Sequence, residues 1–182
     1  MLKKIAYSVV AVVGALLLYA ATKPDTFRVQ RSINIQAPPE KIFGVLNDFH
    51  QSVSWSPYEK KDPAMKRAFS GPESGKGAVY QFEGNKEVGK GRLTITDTTP
   101  SSKVVIALDM DEPFEGHNTV EYTLIARSGS TDVTWAIHGQ QPYIGKVISL
   151  FIDCDTMIGK DFEVGLTNLK ALSETSLKAS TS

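Results

Sequence analysis

A long apolar stripe toward the C-terminal end of the chain constrains the fold more than any other feature. Between Tyr143 and Glu174, apolar residues recur at alternating steps of three and four, which is the spacing of one helical face. The stripe consists of Ile144, Ile148, Phe151, Ile158, Phe162, Leu166, Leu169 and Leu172. This pattern predicts one amphipathic helix of about thirty residues, and such a helix needs a large partner to cover its apolar face.

Short segments with a period of two supply that partner. Phe27, Val29, Arg31, Ile33 and Ile35 alternate with polar residues and predict a first strand. Six further candidate strands are separated by glycine, proline and polar turns, which is typical of an antiparallel meander. They cover residues 65–69, 78–83, 91–98, 103–110, 118–127 and 131–139. The sequence therefore predicts an α+β fold in which about seven antiparallel strands cover the long helix.

A proline-led segment follows the first strand. Pro38-Pro39-Glu40 is a typical helix start, and Ile42, Phe43, Val45 and Leu46 follow it at helical spacing. We expect a short helix here, followed by an irregular aromatic segment over residues 50–63 that contains Trp55 and Tyr58.

The N-terminal region is uncharged over about 17 residues, 5–21, after a basic stretch at residues 1–4. That length lies at the lower limit for crossing a hydrocarbon core of about 30 Å, and the layout also fits a cleavable signal peptide. Leu18-Tyr19-Ala20 and Tyr19-Ala20-Ala21 meet the small-x-small cleavage rule poorly. We therefore expect residues 5–22 to be a retained transmembrane anchor. The short basic start places the following domain outside the cytoplasm, on the periplasmic side of a bacterial inner membrane.

Composition limits the partners of the remaining chain. The sequence has 20 basic and 20 acidic residues, and without Lys3, Lys4 and Lys23 the balance is about −3, which offers no electrostatic case for nucleic-acid binding. Cys154 is the only cysteine, so an internal disulfide is excluded. We expect one domain over residues 23–175 and a disordered polar tail over 176–182. The oligomeric state is left open.

Four local patterns carry a family resemblance over residues 27–174. They are the opening FRVQRSINIQAPPEKIFGVLNDFHQ, the segment Trp55-Ser56-Pro57-Tyr58, the paired strands GKGAVYQFEGNKEVGKGRLTI and the closing MIGKDFEVGLTNLKALSE. Together they resemble the SRPBCC superfamily, and the second is similar to its membrane-anchored members. The resemblance implies a helix-grip fold, START/Bet v 1-like, with a cavity between sheet and long helix. It implies an apolar or lipid-like ligand and no cofactor.

The resemblance and the strand parity suggest which side chains line that cavity. The candidates are Phe43, Trp55, Tyr58, Tyr80, Phe82, Trp135, His138, Phe151, Cys154, Ile158 and Phe162. Aromatic residues fill cores as readily as they line pockets, so each of them could equally be plain core. His138 is three residues from Trp135, and in an unbroken strand the two side chains point to opposite faces.

Three other motifs carry no expected chemistry. Residues 84–90 have the spacing of a phosphate-binding loop, but Gly91 replaces the required Ser or Thr and a strand follows, so we expect a hairpin. Acidic residues crowd around Pro113 and Gly116 beside His117, in a pattern that matches no calcium loop and favours a solvated turn. The three histidines have no metal-ligand spacing, and no catalytic triad is recognisable.

Three functions remain open at this point. The first is a non-catalytic binder of an apolar molecule, such as a lipid, at a membrane surface. The second is an enzyme of the polyketide cyclase or dehydrase kind that uses a polar group in the cavity. The third is an interaction module with a filled core, in the envelope or in a stress response. One fold hosts many functions, so the resemblance alone does not choose between them.

Overall fold

The computed structural model describes residues 2–178 of the 182-residue chain, with side chains at residues 3–4 and 7–175. Seven strands form its centre: β1 (Thr26–Ile35), β2 (Lys66–Ser70), β3 (Val79–Glu83), β4 (Lys90–Thr99), β5 (Lys103–Glu112), β6 (Gly116–Arg127) and β7 (Ser130–Gln140). The helices are α1 (Leu2–Ala21), α2 (Pro39–Leu46), α3 (Ser52–Trp55), α4 (Pro57–Lys61), α5 (Tyr143–Ile148) and α6 (Cys154–Lys178).

The strands form one antiparallel sheet in the order β1-β7-β6-β5-β4-β3-β2. Neighbours in the chain are neighbours in the sheet from β2 to β7, and β1 joins the free edge of β7. Register shifts between Ile95 and Asp97 and between Lys90 and Gly91 interrupt the β4–β5 ladder. Bulges of this kind bend a sheet. The predicted α+β helix-grip architecture is confirmed.

One face of the sheet is the core face. On β7, Val133, Trp135 and Ile137 alternate as buried residues, and they lie opposite Leu124, Tyr122 and Val120 of β6. The helix α6 covers this face with Phe162, Leu166 and Leu169. The apolar stripe and the strand period therefore meet in one core, as the sequence predicts.

The short helices close the remaining side of the core. Helix α2 begins at Pro39 and buries Ile42 and Leu46. A 3₁₀ turn over Phe49–Gln51 follows, and the Asp48 carboxylate accepts a hydrogen bond from the backbone N–H of His50 at its start. Helices α3 and α4 then bury Trp55, Pro57 and Glu59.

The prediction of a single long helix over 143–174 is wrong in one respect. The chain forms α5 and α6 with a non-helical connection at residues 149–153. The Asp153 carboxylate accepts hydrogen bonds from the backbone N–H of Thr156 at 3.0 Å and from its hydroxyl at 2.6 Å. An aspartate cap of this kind starts a new helix. The predicted stripe continues through the break, but its first residues Ile144 and Phe151 are exposed.

Two glycines in α6 allow close approach of the sheet. A Cβ on Gly159 would meet the Arg31 guanidinium at 2.0 Å, and one on Gly165 would meet Trp135 Cζ3 at 2.5 Å. Arg31 uses this space to pair with Asp155 at 2.9 Å and with Glu163 at 3.0 Å. The helical cost of each glycine, about 1 kcal/mol against alanine, is offset by this packing.

Helix α1 is attached to the domain through its C-terminal end. The Tyr143 hydroxyl donates to the carbonyl oxygen of Leu17 at 2.8 Å, and the buried Lys146 ammonium pairs with Asp25. Among the residues that the structure describes, no helix is long and apolar enough to cross a membrane. The predicted transmembrane anchor includes Ile5 and Ala6, whose side chains lie outside the described ones.

The predicted tail begins later than expected. Helix α6 continues to Lys178, three residues into the segment that we expected to be disordered. Residues 179–182 lie outside the described part of the chain.

Candidate functional site

The space between α2, α3 and the core face of the sheet is filled by aromatic rings. We call this site the aromatic cleft and define it by Trp55, Tyr122, Trp135 and Phe162. Each of these four side chains is buried, and together they come from α3, β6, β7 and α6. The cleft thus joins every layer of the domain.

Ring geometry holds the cleft together. The Trp135 ring stacks on Phe162 with centroids 4.1 Å apart and an interplanar angle of 11°. Trp55 meets Trp135 edge-on at 5.5 Å and Tyr122 edge-on at 6.1 Å. Stacked and edge-on aromatic pairs each contribute about 0.5–1.5 kcal/mol beyond the area that they bury. The cleft is therefore a rigid part of the core.

Helix α6 locks two sides of the cleft. The six-membered edge of Trp135 lies against Gly165, whose missing side chain provides the room. The Asn168 amide donates from Nδ2 to the backbone carbonyl of Trp55 at 3.0 Å, which ties α3 to α6. These contacts fix how far α3 can move from the sheet.

The cavity inside the cleft is small. It has a volume of about 50 Å³, and a buried water needs at least about 10–15 Å³. Its lining consists of Val45, Leu46, Asp48, Phe49, Ser52, Trp55, Ser56, Ile106, Tyr122 and Trp135. In this conformation the space holds a few atoms and no lipid-sized molecule.

Two residues that line the cavity each carry a buried polar group without a partner among the described residues. The indole N–H groups of Trp55 and Trp135 are buried and make no hydrogen bond among the described residues, and the Asn47 side-chain oxygen nearby in the chain is also unpaired. A buried donor without a partner costs about 1–3 kcal/mol. An acceptor inside the cavity would remove that cost.

A second buried constellation lies at the β2 edge of the sheet, and it escaped sequence reasoning. The Glu59 carboxylate accepts from Arg67 Nε at 2.7 Å on one oxygen and from the Tyr80 hydroxyl at 2.6 Å on the other. The Glu59 side chain is buried, so both partners are needed to compensate its charge. Both of its oxygens are engaged, and the group acts as a clamp between α4 and the sheet.

The sequence did contain one signal for this clamp. Arg67 lies between Met65 and Phe69 with a period of two, on the inward face of β2. An inward-facing arginine requires a buried anion. The anion itself, Glu59, lies in an irregular segment where periodicity does not place side chains.

An aromatic stack connects the clamp to the surface. The His50 ring stacks on Phe69 at 4.2 Å, and Phe69 stacks on Tyr80 at 5.0 Å. His50 Nδ1 lies 2.9 Å from the Asp48 carboxylate, which orients the imidazole. A surface depression of about 170 Å³ lies beside this stack and is lined by His50, Phe69 and Pro72 among others.

The tyrosines of the core stay protonated at neutral pH. Burial, and then the hydrogen bond to Glu59, raise the pKa of Tyr80 well above its ordinary range. Burial, and then the neighbouring Tyr58, raise the pKa of Tyr122 in the same direction. Burial and the nearby Asp161 do the same to the pKa of Tyr58. All three hydroxyls therefore keep their protons and do not act as bases, and the Tyr80 hydroxyl already donates to Glu59.

The predicted cavity residues divide into three groups. Trp55 and Trp135 line the cavity, and Phe162 and Tyr80 are buried next to it or to the clamp. Four others are partly buried and pack around the core: Phe43, Tyr58, Phe82 and Ile158. The remaining three lie outside the cleft.

Those three correct the sequence interpretation. Phe151 is 73% exposed because it falls in the break between α5 and α6. Cys154 is half-buried at the first position of α6 and lines a surface groove. His138 pairs with Arg28 and Thr119 across the sheet, three residues from Trp135, so it lies on the opposite face, as parity predicts.

Two of the motifs for which we expected no chemistry, residues 84–90 and the acidic segment before His117, lie at turns. Residues 84–89 connect β3 to β4, and the backbone N–H of Gly84 donates to the carbonyl of Gly89 at 2.8 Å. In the acidic segment, Asp109 pairs with His117 at 2.7 Å and with Arg92 at 2.9 Å. These two bonds lower the pKa of Asp109. Within the described residues, no group of His, Cys, Asp and Glu is arranged to hold a metal ion.

Residues 26–174 match the family described as polyketide cyclase / dehydrase and lipid transport. The chain belongs to this family. The matched range runs from the start of β1 into α6, so it contains the aromatic cleft and leaves out α1. The family lies within the SRPBCC superfamily, which confirms the resemblance drawn from the sequence.

Solved structures show the same fold at low sequence identity. A Chromobacterium violaceum protein, CV1439, is 18% identical with a TM-score of 0.58, over 84% of this chain and 99% of its own. The Aha1 dimer of Colwellia psychrerythraea is 19% identical with a TM-score of 0.59, over 81% and 96%. A Mesorhizobium loti protein, MLL2253, is 17% identical with a TM-score of 0.57, over 82% and 98%. None of the curated proteins matches the chain.

The family description covers both catalysts and carriers, and the site discriminates only coarsely between them. Most side chains that line the cavity are apolar, Tyr122 among them is protonated, and the buried Glu59 carboxylate at the β2 edge is paired on both oxygens.

Proposed function

We propose that this protein binds an apolar small molecule that carries one hydrogen-bond acceptor, in the aromatic cleft, without chemical conversion. The observation that carries the proposal is the pair of buried, unpartnered indole N–H groups of Trp55 and Trp135 in the cavity wall. A ligand acceptor that reaches one of these groups would satisfy a donor that has no partner among the described residues.

The small cavity implies that binding requires opening. Helix α3 and helix α4 have four and five residues, so they are short elements that can move as a unit. Opening must break the bond from Asn168 to the Trp55 carbonyl, the clamp between Glu59 and Arg67, and the ion pair of Lys61 with Asp161 at 2.6 Å. A ligand that displaces α3 and α4 from the sheet enlarges the cavity without disturbing the strands.

Tryptophan fluorescence tests the proposal directly, because both tryptophans of the chain lie in the cleft. We expect a brominated fatty acid to quench the intrinsic fluorescence of delipidated full-length protein, with saturation. Trp55→Phe and Trp135→Phe each retain one fluorophore and lose one N–H donor. A lost hydrogen bond of about 1–1.5 kcal/mol predicts roughly tenfold weaker binding in each variant.

Asn168→Ala is the matched variant for the opening step. It removes the bond that ties α3 to α6 and leaves every cavity-lining side chain in place. We expect faster uptake of the brominated fatty acid. Absence of quenching in wild type and in Asn168→Ala alike would refute the proposal.

A filled-core interaction module is the second candidate, and the cavity of about 50 Å³ favours it. Native mass spectrometry of the full-length protein, gently extracted from its own membrane, separates the two. A co-purifying apolar adduct supports the binder. A bare chain that also fails to quench supports the module.

We further propose that α1 attaches the domain to a membrane, with the domain on the periplasmic side of a bacterial inner membrane. Apolar side chains of α1 are exposed around the whole helix: Val9, Val10, Val12, Val13, Leu16, Leu17 and Leu18. A helix that is apolar all round is suited to hydrocarbon rather than to water. Lys3 and Lys4 at its start support the orientation.

Membrane fractionation and protease accessibility test this attachment. We expect the full chain to remain with membranes at high salt, and a protease added to spheroplasts to cleave the domain. Release by salt would contradict attachment through α1, and protection in intact spheroplasts would contradict the periplasmic side.

A further inference from the structure

A cluster of exposed apolar side chains lies where the domain meets α1. It consists of Tyr143 and Ile144 at the start of α5, and Phe151 and Ile152 in the connection to α6. We call these four residues the apolar tip. Large apolar side chains that share one exposed surface indicate a contact that the free domain does not satisfy.

Two contacts place the tip beside the C-terminal end of α1. The Tyr143 hydroxyl donates to the Leu17 carbonyl at 2.8 Å, which brings α5 against the last turn of α1. Phe151 and Ile152 line one groove together with Lys23, and the Lys23 ammonium lies 5.2 Å from the centre of the Tyr19 ring. The tip therefore lies beside the end of α1, and the groove at Phe151 and Ile152 also contains the charged side chains of Lys23 and Asp153.

Two charges close to the tip are paired within the domain. Lys146, between the two halves of the tip, pairs with Asp25, and Asp155 pairs with Arg31. Asp153 caps α6 through Thr156, and with Lys23 it adds a charge beside Phe151 and Ile152. Residues 147–152, Val-Ile-Ser-Leu-Phe-Ile, carry no charge. Contact with a charged partner stabilises a surface of this kind only a little, whereas transfer of its apolar side chains into an apolar medium is favourable.

We propose that the apolar tip inserts into the interfacial region of the lipid bilayer to which α1 is attached. This inference rests on the membrane attachment proposed above and adds a second point of contact. The choice of lipid over a protein partner rests on α1, whose apolar side chains are exposed and whose last turn contacts Tyr143 of the tip. Tyr143 and Tyr19 provide aromatic rings of the type that is enriched at membrane interfaces.

Two attachment points have a consequence that one does not. The contacts of Leu17 with Tyr143 and of Asp25 with Lys146 orient the domain on α1, and insertion of the tip adds a second fixed point relative to the bilayer. The N-terminal end of α6, which begins directly after the tip at Cys154, is then held at the membrane surface.

The only cysteine of the chain provides the test, because Cys154 is half-buried and directly follows the tip. Full-length protein labelled at Cys154 with an environment-sensitive fluorophore is reconstituted with phosphatidylcholine vesicles. We expect a blue shift of the emission and quenching by lipids with a spin label near the headgroup. Both effects persist at high salt, since the contact is apolar.

The control label is placed at the other end of β7. Ser128 lies in the exposed turn that precedes β7, whereas α5 follows the far end of that strand. Ser128→Cys in a Cys154→Ser background carries the same fluorophore. We expect no blue shift and no quenching from this position.

Variants of the tip complete the test. Phe151→Ser with Ile152→Ser removes the shift and the quenching, while the protein still floats with the vesicles. Ile125→Ser, which changes an exposed apolar residue near the opposite end of the sheet, leaves both signals unchanged. Phe151→Leu with Ile152→Leu restores them. Unchanged tryptophan fluorescence shows that the variants are folded.

The outcomes separate the two proposals. If the wild type does not float with vesicles, the attachment through α1 fails. If it floats and the Cys154 label responds like the Ser128→Cys label, the tip faces water and is available for a protein partner, and the inference is overturned. Floating with a lipid-quenched Cys154 label that the Ser variants abolish supports it.

Discussion

The aromatic cleft and the apolar tip use the same types of side chain in opposite ways. Phe162 in the cleft is 2% exposed and stacks on Trp135, whereas Phe151 in the tip is 73% exposed. Both residues belong to the same apolar stripe in the sequence. Helical spacing therefore identifies an apolar face, but it does not show which part of the molecule covers that face. Within the domain, only the part of the stripe that follows Asp153 reaches the sheet.

The largest test of this comparison replaces the two phenylalanines in turn. Phe162→Ala removes a fully buried ring and should lower the free energy of unfolding by about 3–5 kcal/mol. Phe151→Ala should change the free energy of unfolding by no more than about 0.5 kcal/mol, because the exposed ring makes few packing contacts. Urea unfolding of the full chain in detergent, followed by tryptophan fluorescence, measures both. Equal losses would mean that the tip is packed in solution.

High pH tests the cleft through its buried tyrosines. Because the folded chain raises the pKa of Tyr80 and Tyr122, it stabilises their protonated forms. That contribution is complete below about pH 10, the pKa in the unfolded chain, and is lost as pH rises toward the folded values. At one pH unit above 10, ionisation of these two tyrosines in the unfolded chain lowers the free energy of unfolding by about 3 kcal/mol.

The measurement is urea unfolding between about pH 8 and 11, with tyrosinate absorbance recorded in parallel. Tyr122→Phe removes one titrating group and no described hydrogen bond. Because Tyr58 and Tyr80 still titrate, the pH slope should fall by about a third. If Tyr122→Phe leaves the pH slope unchanged, the pH sensitivity of unfolding arises outside the cleft.

A smaller effect is expected from filling the space between cleft and helix. Gly165→Ala places a Cβ 2.5 Å from Trp135 Cζ3 and 3.0 Å from Pro57 Cδ, so the ring must shift. Overpacking of this kind costs about 1–3 kcal/mol. Gly44→Ala in α2 meets nothing within 4 Å and should stabilise the helix slightly. Opposite signs in urea unfolding would confirm that Gly165 is kept for packing.

The smallest effect concerns the boundary between the two regions. Asp153→Ala removes the cap at the start of α6 and should cost about 1 kcal/mol, measured as the urea midpoint. Asp153→Ser retains a capping oxygen and should recover most of the loss. If the alanine variant is as stable as the wild type, the break between α5 and α6 does not depend on this cap.

Strands were predictable because their signal is local. β5 was expected over 103–110 and is observed at Lys103–Glu112, and β6 was expected over 118–127 and is observed at Gly116–Arg127. Alternating polarity and turn residues lie within the segment itself, so no distant contact is needed to recognise a strand. The same holds for α2, whose prolines mark its start.

The site was less predictable because it depends on distant pairs. The clamp joins Glu59 to Arg67 and to Tyr80 across a sequence separation that no periodicity describes. The cavity volume depends on how closely Trp55, Trp135 and Tyr122 pack, and one ring rotation changes it. Trp55 and Trp135 were predicted either to line a cavity or to be plain core, and the sequence did not decide how much space they leave.

Periodicity and motifs over neighbouring residues were enough to predict the number of strands, the existence of a long final helix, the apolar N-terminal segment and the family. The folded chain was needed to show where the stripe leaves the core, which glycine receives Trp135, which anion pairs with Arg67 and how little space the cleft leaves. These depend on atoms that are far apart in the chain, and close packing fixes them to within a few tenths of an ångström.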